Sequence, residues 1–280
     1  MKMKIAVTGA TGFIGSHVRN VLALTNHEVV LAVRHPKKVI HKYSKEVIVL
    51  ADLFDNRTDW FELFGEPDAV MHLAWGGLPN YMDNYHVEIE LPNQLRFLNA
   101  LIDSGLKKLL VSGTCFEYGL VEGEVCETTL THPGTPYAIA KDMLRKELFK
   151  MQSDYDFDLT WARIFYPYGE GQSEKSVFTQ LKRSIEKDEK FFLMSSGKQV
   201  FDFIKVDQVA QILSELVIHQ NRIGLLNIGS GNPKNLLSFV LEQIALFGST
   251  ILPLTDSFPD RPWEPKSYWS DNAKLRHLLR

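Results

Sequence analysis

The stretch Thr8-Gly9-Ala10-Thr11-Gly12-Phe13-Ile14-Gly15 decides the fold of this chain. The apolar run Ile5-Ala6-Val7 precedes it, and an apolar-periodic stretch through Val18, Val21 and Leu22 follows it. This order is typical of a strand, a glycine turn and a helix. Unpaired N–H groups at the start of a helix carry partial positive charge, so a phosphate binds there readily. Because glycines let the backbone approach a pyrophosphate closely, the turn predicts a bound dinucleotide.

The composition is that of an ordinary globular protein. The 280 residues suffice for one large domain or two small ones, with 45% hydrophobic and 23% charged residues. The net charge of −3 provides no basic field for nucleic acid. The first strand begins at once and no apolar stretch reaches membrane-span length, so we expect a cytoplasmic protein that does not bind a membrane. Cys115 and Cys126 form neither a disulfide framework nor a zinc pattern, so no metal site is predicted.

Short apolar runs alternate with helical patterns along the first half of the chain. Strands are predicted over residues 4–7, 28–33, 47–50, 69–73, 109–112, 159–163 and 225–228. Helices are predicted over residues 14–24, 91–104, 136–150, 176–187, 207–219 and 236–247. The strands are continuously apolar, as expected when helices cover both faces of a parallel sheet. The pattern therefore predicts a doubly wound α/β (Rossmann) fold with its ligand site at the carboxyl ends of the strands.

The rhythm of strands and helices weakens after about Tyr166, and the tail from Phe258 is rich in proline and aromatic residues. We expect residues 1–165 to form the dinucleotide-binding domain, with segments near 202–231 returning to its sheet. Residues 166–280 are expected to form mainly a smaller substrate-binding lobe.

A second group of residues opens the helix predicted at 136–150. Tyr137 and Lys141 are four residues apart, so the phenol and the ammonium share one helix face and can converge. A free tyrosine has a pKa of about 10, and a nearby ammonium lowers it by stabilising the phenolate. Such a tyrosine exchanges a proton with a carbonyl or alcohol oxygen, while a nicotinamide supplies the hydride. The alternative is an exposed tyrosine beside a solvated lysine, which the upstream glycine turn disfavours.

Taken together, these segments resemble the extended short-chain dehydrogenases/reductases, the NAD(P)-dependent epimerase/dehydratase group, over nearly the whole chain. Besides the glycine turn and the Tyr137–Lys141 pair, the resemblance is carried by Asp52-Leu53, His72-Leu73-Ala74, Asp202-Phe203-Ile204, Val206-Asp207 and Asn227-Ile228-Gly229-Ser230-Gly231. The cofactor contacts that it implies come from Gly9, Thr11, Gly12, Phe13, Ile14, Asp52, Leu53, Leu73, Ala74, Tyr137 and Lys141.

The resemblance also places Thr114 in the role of the group's catalytic serine or threonine. Its hydroxyl would donate a hydrogen bond to the substrate oxygen; the alternative is a strand-end residue that bonds locally to backbone. Dehydratases of the group carry an Asp-Glu pair directly after this residue, but Cys115 and Phe116 stand there, so 4,6-dehydration is not expected. Cys115 is more simply explained as a packed side chain, and Glu117 comes one place too late.

The end of the second predicted strand indicates which dinucleotide is preferred. An acidic residue there binds the ribose 2′-hydroxyl of NAD, whereas an arginine accommodates the 2′-phosphate of NADP. Here Arg34 follows Val33, and Lys37 and Lys38 come close behind. The charge therefore predicts NADP(H) in preference to NAD(H); the alternative is a solvated basic turn.

The resemblance implies a nucleotide-linked sugar as substrate. The chain is most similar to shorter bacterial members that reduce nucleoside-diphosphate-linked 4-keto-6-deoxy sugars for surface polysaccharides. An epimerase is the alternative, and a non-catalytic NAD(P)-binding sensor is a second one. The expected substrate contacts are Trp75 and Tyr81 in the loop after the fourth strand, Thr114, Tyr166 and Arg261. Two positions depart from the group's pattern: Phe201 replaces an arginine that often contacts the diphosphate, and Tyr166 replaces an asparagine. A homodimer through helices 91–104 and 136–150 is expected on the same resemblance.

Overall fold

The computed structural model describes residues 2–34, 46–220 and 222–280. The strands in these ranges are β1 Lys4–Thr8, β2 Glu28–Val33, β3 Glu46–Leu50, β4 Ala69–His72, β5 Lys108–Thr114, β6 Gly123–Val125, β7 Asp158–Ile164, β8 Pro167–Tyr168, β9 Phe191–Leu193, β10 Val200–Phe201, β11 Ile204–Lys205, β12 Gly224–Ile228, β13 Lys234–Asn235, β14 Leu252–Leu254 and β15 Ser267–Ser270.

The α-helices are α1 Phe13–Leu22, α2 Trp60–Leu63, α3 Leu91–Asp103, α4 Pro136–Met151, α5 Val177–Glu186, α6 Val206–Ile218, α7 Leu236–Leu246 and α8 Ala273–Leu278. Two short turns of other helix types lie close to the carboxyl ends of the strands. A π-helical turn, His86–Glu90, leads into α3, and a 3₁₀ turn, Cys115–Tyr118, follows β5.

A seven-stranded sheet in the order β12-β7-β5-β4-β1-β2-β3 forms the centre of the molecule. Each pair of neighbours runs parallel. The chain proceeds outwards from β1 to β3, returns to β4 on the other side of β1, and then proceeds outwards to β12. The strand order thus reverses between β1 and β4, where a doubly wound sheet binds its ligand. This topology confirms the predicted α/β fold.

Helices cover both faces of the sheet, as the continuously apolar strands predicted. On one face, Val18 of α1 and Leu213 of α6 pack with Ile5 and Val7 of β1. On the other, α3 and α4 pack around Ala6 in a cluster that also includes Trp60. Successive residues of β1 therefore enter opposite cores, which is the alternation expected of a strand buried on both sides.

Every predicted strand and helix is present, with each end within two residues of its predicted position. The short helices α2 and α8 and the strands of the small sheets were not predicted, because elements of two to six residues are too short to show a clear period. One of these sheets has the order β13-β10-β15-β6. From the second half of the chain, β12 joins the main sheet beside β7. The division into two domains at residue 165 stays a prediction.

Asp202 ties the returning segment 227–231 to the small sheet. Its fully buried carboxylate accepts hydrogen bonds from the backbone N–H groups of Ser230 at 2.8 Å, Gly231 at 3.2 Å and Ser270 at 3.1 Å. The hydroxyls of Ser230 and Ser270 donate to it as well. Because an ionised carboxylate only accepts hydrogen bonds, these donors satisfy it. Two of the sequence segments singled out above therefore meet at one structural carboxylate.

Candidate active site

The glycine turn between β1 and α1 brings the backbone of three segments into close contact. Gly9 has φ +71°, and a Cβ there would lie 2.6 Å from the backbone nitrogen of Ala74. A Cβ on Gly15 would lie 2.1 Å from the Gly9 carbonyl oxygen. Gly12 is the exposed N-cap of α1, next to the exposed Thr11. Phe13 and Ile14, both half-buried, form the first helical turn. The turn thus fits a pyrophosphate set against a helix N-terminus.

The other predicted cofactor residues lie at the same edge of the sheet. Leu73 follows β4, and its N–H donates to the Thr8 carbonyl at 3.2 Å. Past the end of β3, Leu53 packs against the core and Asp52 is exposed. The exposed Arg34 follows β2, whereas Lys37 and Lys38 lie outside the described residues. The cofactor residues of the described ranges therefore surround the point where the strand order reverses.

Thr114 and Tyr137 come together from β5 and α4. Thr114 is the last residue of β5, and its hydroxyl accepts a hydrogen bond from the Phe116 N–H at 3.3 Å. Tyr137 is the second residue of α4, whose N-cap, Thr135, accepts from the Ala138 N–H at 3.2 Å. A side-chain hydrogen bond between Thr114 and Tyr137 acts to lower the tyrosine pKa. Thr114 therefore combines the local backbone role with contact to the candidate catalytic phenol.

The environment of Tyr137 corrects one prediction. Lys141 was expected to lower the pKa of this phenol, but the pKa of Tyr137 is raised, first by burial and then by Tyr81, while Thr114 opposes the rise only in part. Only 8% of the Tyr137 surface is exposed. Burial disfavours the phenolate more than its neighbours favour it. The tyrosine therefore keeps its proton at neutral pH.

Lys141 lies one helical turn after Tyr137 and is fully buried. Its ammonium donates to the Ser112 carbonyl at 2.8 Å and lies 3.9 Å from the centre of the Trp75 ring. Burial lowers the pKa of Lys141 to about 7, and the carboxylates of Glu117 and Glu90 act in the opposite direction. The charge on this amine therefore changes within the physiological range of pH.

Glu117 joins the end of β5 to the core of the sheet. Its buried carboxylate accepts from Arg163 Nε at 2.7 Å, from Trp161 Nε1 at 3.0 Å and from the Thr114 N–H at 2.9 Å. Arg145 Nε lies 3.5 Å from the same carboxylate. Because these donors hold the carboxylate beneath the strand end, Glu117 positions Thr114 and is not available as a second catalytic acid.

Cys115 and Phe116 have packing roles. Cys115 is buried with Tyr118, Phe165 and Tyr268, and burial raises the pKa of its thiol to about 12. The Phe116 ring lies 5.4 Å from the Tyr81 ring and 5.8 Å from the Trp263 ring, measured between centres. Neither side chain is therefore suited to exchange protons at neutral pH, and the absence of 4,6-dehydration stays a prediction.

Tyr81, Phe116 and Trp263 form an aromatic wall beside Tyr137. The centre of the Tyr81 ring is 5.4 Å from both the Trp263 and the Tyr137 ring. All three wall residues are half-buried. Sequence reasoning identified Tyr81 but missed Phe116 and Trp263. The only signal for Trp263 was its place in the aromatic-rich tail, far from Tyr81 in sequence.

The remaining predicted substrate residues occupy different depths. Trp75 lies inside the site, over Lys141. At the mouth, Arg261 is 51% exposed, lies over the Trp263 ring at 5.5 Å and is 3.8 Å from Glu264. Burial raises the pKa of Glu264, which sequence reasoning also missed, and Arg261 opposes that rise. An arginine at the mouth can bind an anionic group of a ligand.

Tyr166 and Phe201, the two departures from the group's pattern, stack on each other. Their ring centres are 4.1 Å apart and their planes differ by 19°. One apolar contact therefore stands where the group has an asparagine and an arginine. A diphosphate at this site would depend on Arg261 more than the group's pattern implies.

Across residues 2–34, 46–220 and 222–280, none of the helices combines the length and apolarity needed to cross a membrane. In the same ranges, no three His, Cys, Asp or Glu side chains are grouped so as to hold a metal ion.

Comparison with known proteins gives consistent matches. The NAD dependent epimerase/dehydratase family matches residues 5–229. A dTDP-6-deoxy-L-talose 4-dehydrogenase (NAD(+)) from Aggregatibacter actinomycetemcomitans is 29% identical over 270 residues, which cover 95% of this chain and 99% of the relative.

Two solved structures share the fold. A UDP-N-acetylglucosamine 4-epimerase from Methanobrevibacter ruminantium, in complex with UDP-N-acetylmuramic acid, is 21% identical with a TM-score of 0.86 and covers 100% of this chain and 93% of its own. A UDP-glucuronic acid 4-epimerase from Bacillus cereus, in complex with UDP-glucuronic acid and NAD, is 24% identical with a TM-score of 0.83, covering 99% and 93%.

Proposed function

The chain belongs to the NAD dependent epimerase/dehydratase family, whose members are enzymes of the short-chain dehydrogenase/reductase type. From this membership we propose that the protein reduces the 4-keto group of a nucleotide-linked 6-deoxy sugar. The observation that carries the proposal is the contact of Thr114 with a buried, protonated Tyr137 beside the glycine turn. The relative with the highest identity quoted above is named for the reverse reaction, oxidation at C4 of a 6-deoxy sugar.

The residues divide the work of reduction among themselves. Thr114 donates a hydrogen bond to the keto oxygen and so stabilises the negative charge that develops on it. Tyr137 then gives its proton to that oxygen as the charge develops, and its raised pKa keeps the phenol protonated until that point. The Lys141 ammonium, while charged, stabilises the phenolate left behind. A pyridine nucleotide held by the glycine turn supplies the hydride when bound.

The cofactor preference is proposed to be NADP(H). Arg34 is an exposed cation directly after β2, where the ribose of a dinucleotide meets the sheet edge. The relative from Aggregatibacter is named with NAD(+), so affinities for both cofactors need to be measured. We expect Arg34→Ala to weaken NADPH binding roughly tenfold or more, the value of one charge-assisted hydrogen bond, and to leave NADH binding unchanged. Equal loss for both cofactors would contradict the preference.

A 4-epimerase is the second candidate, because solved structures of 4-epimerases share the fold over nearly the whole chain. Both reactions use the same three side chains. They differ in cofactor balance, since a reductase oxidises one NADPH per sugar, whereas an epimerase restores its cofactor in each cycle. Incubation of a 4-hydroxy nucleotide sugar with NAD(P)+ at a small fraction of the sugar concentration would yield the C4 epimer in excess of the cofactor only in the second case.

The test is a set of dTDP- and UDP-linked 4-keto-6-deoxy sugars offered with NADPH or NADH. We expect stoichiometric cofactor oxidation and a 4-hydroxy product. Tyr137→Phe should abolish turnover and leave NADPH affinity nearly unchanged, because it removes the proton donor and not the phosphate contacts. Lys141→Met should impair both turnover and NADPH affinity. Tight NADPH binding without turnover of any sugar would favour a sensor, and near-normal rates for Tyr137→Phe would refute the catalytic assignment.

The wider setting is proposed on the same resemblance. A cytoplasmic homodimer that makes sugars for surface polysaccharides would pair through α3 and α4. These helices pack side by side, and Ile89 before α3 and Met143 on α4 are 46% and 45% exposed. Sedimentation of Met143→Glu as a monomer, with the unaltered chain sedimenting as a dimer, would support this interface; identical sedimentation would contradict it.

A further inference from the structure

The loop after β4 packs unusually closely against the π-helical turn His86–Glu90. A Cβ on Gly76 would lie 2.7 Å from Glu90 Oε2, and a Cβ on Gly77, where φ is +79°, would lie 2.9 Å from His86 Cε1. The Gly76 N–H donates to Glu90 Oε1 at 2.7 Å. π-Helical turns are rare and are frequent at functional sites. This packing fixes the place of Trp75, the residue before the two glycines.

The orientation of the Trp75 ring is set by His86. Trp75 Nε1 donates to His86 Nδ1 at 3.1 Å, and the two rings stack with centres 6.3 Å apart. His86 Nε2 lies 3.1 Å from the Asn80 carbonyl oxygen, to which it donates. Burial lowers the pKa of the fully buried His86, so the ring is neutral and Nδ1 remains an acceptor. The hydrogen bond to His86 therefore fixes the Nε1 edge of the Trp75 ring, and the face of the ring lies against Lys141.

We propose that Trp75 is a positioning residue whose ring face holds the Lys141 ammonium beside Tyr137 and stabilises its charge. The ammonium lies 3.9 Å from the ring centre, well within cation–π range. The Trp75 and Tyr137 rings are 6.0 Å apart, edge to face, so the same indole borders both groups. The proposal rests on the proposed function for the catalytic consequence only, since the contact itself concerns two side chains of this protein.

Several other groups influence the charge on Lys141. The carboxylates of Glu117 and Glu90 favour the ammonium, whereas burial disfavours it. The neutral imidazoles of His72 and His86 lie near it, and burial lowers the pKa of His72 to about 3. Trp75 contributes attraction without carrying a charge of its own. A desolvated cation–π contact corresponds to roughly one pH unit in the pKa of the lysine.

The sharpest test changes the electronics of the ring and leaves its shape nearly unaltered. Tryptophan with one to three ring fluorines is incorporated at position 75, because fluorine withdraws electron density from the face that attracts the cation. The Lys141 pKa is read from ¹³Cε-lysine NMR titrations of the full chain, with the resonance assigned by Lys141→Met. We expect stepwise lowering, reaching roughly one pH unit with three fluorines. Fluorination of Trp60, a buried residue of the core, is the matched control and should leave the titration unchanged.

Two substitutions extend the test to function. Trp75→Phe keeps an aromatic face, whereas Trp75→Leu removes it. The pH above which kcat/KM falls should therefore shift less than half as far in Trp75→Phe as in Trp75→Leu. A Lys141 titration that ignores fluorination, or equal shifts for phenylalanine and leucine, would overturn the proposal. If no sugar is turned over, the proposed function fails, while the NMR titration still decides the role of Trp75. If Trp75→Leu does not fold, the fluorinated series decides it alone.

Discussion

Replacement of Glu117 by glutamine tests whether a buried ion pair links the core to the catalytic edge of the sheet. The carboxylate accepts from Arg163 at 2.7 Å, and Arg163 is 1% exposed. A glutamine oxygen can still accept from Trp161 or Thr114, but the Arg163 charge loses its counter-ion. Removing one partner of a buried ion pair costs about 3–5 kcal/mol.

The surroundings of the pair place the expected loss within that range. Arg145, 3.5 Å from Glu117, also pairs with Asp142 at 2.7 Å, so it keeps a counter-ion when Glu117 is neutralised. The two guanidiniums would then face each other without the carboxylate between them. We expect Glu117→Gln to lower the free energy of unfolding by about 3–4 kcal/mol. The melting temperature should fall by roughly 5–7 °C, because the unfolding entropy is about 2.1 cal/mol/K per residue.

Urea unfolding followed by tryptophan fluorescence measures the loss. The matched control is Glu170→Gln, because Glu170 pairs with Lys182 at 2.5 Å but is 68% exposed. That change should cost less than about 1 kcal/mol. In Glu117→Gln the turnover number should also fall, because the carboxylate that holds the Thr114 backbone is gone. A loss below about 1 kcal/mol for Glu117→Gln would refute the account of the buried pair.

Three further outcomes follow from the site. Thr114→Val should lower kcat roughly 100-fold while NADPH affinity is unchanged, and Thr114→Ser should restore most of the rate; steady-state kinetics would contradict the role if valine were tolerated. Arg261→Ala should raise the KM for nucleotide-linked substrates roughly 10- to 100-fold and leave the cofactor Kd unaltered; an unchanged KM would place the diphosphate elsewhere. The rate should fall as pH rises through about 7, where Lys141 loses its charge. Because the folded pKa of Lys141 lies below its ordinary value of 10.5, the unfolded chain binds more protons between these pH values, so this group makes stability rise with pH there. Kinetic and urea titrations over that window should show the two opposite trends.

Much of the fold was predictable because its determinants are local. The continuous apolar runs of β1, β2 and β5, with periodic helices between them, predicted a parallel sheet. The strand, turn and helix at residues 4–22 were predictable because the turn needs glycine at fixed positions. Gly9 has a positive φ and lies too close to the Ala74 backbone for a side chain. The strands of the small sheets and the short helices α2 and α8 escaped prediction because they carry too few side chains to show a clear period.

The residues of the candidate site could be predicted from the sequence, but their burial, their pKa values and their contacts could not. Thr114, Tyr137 and Lys141 were named from motif and spacing, and the structure brings them to one edge of the sheet. The expectation of a lowered Tyr137 pKa was wrong, because helical spacing says nothing of how deeply the phenol is buried. Phe116 and Trp263 were missed because they meet Tyr81 only after the tail folds back.

By itself the sequence determined the parallel sheet and the glycine turn, and it singled out Thr114, Tyr137 and Lys141 as candidate catalytic residues, since each depends on residue types at short, regular spacings. Only the tertiary structure decided the ionisation states of those side chains, the pairing of Glu117 with Arg163 and the seating of Lys141 on Trp75. Desolvation and through-space charge depend on segments distant in the chain, and their magnitudes exist only once those segments pack together.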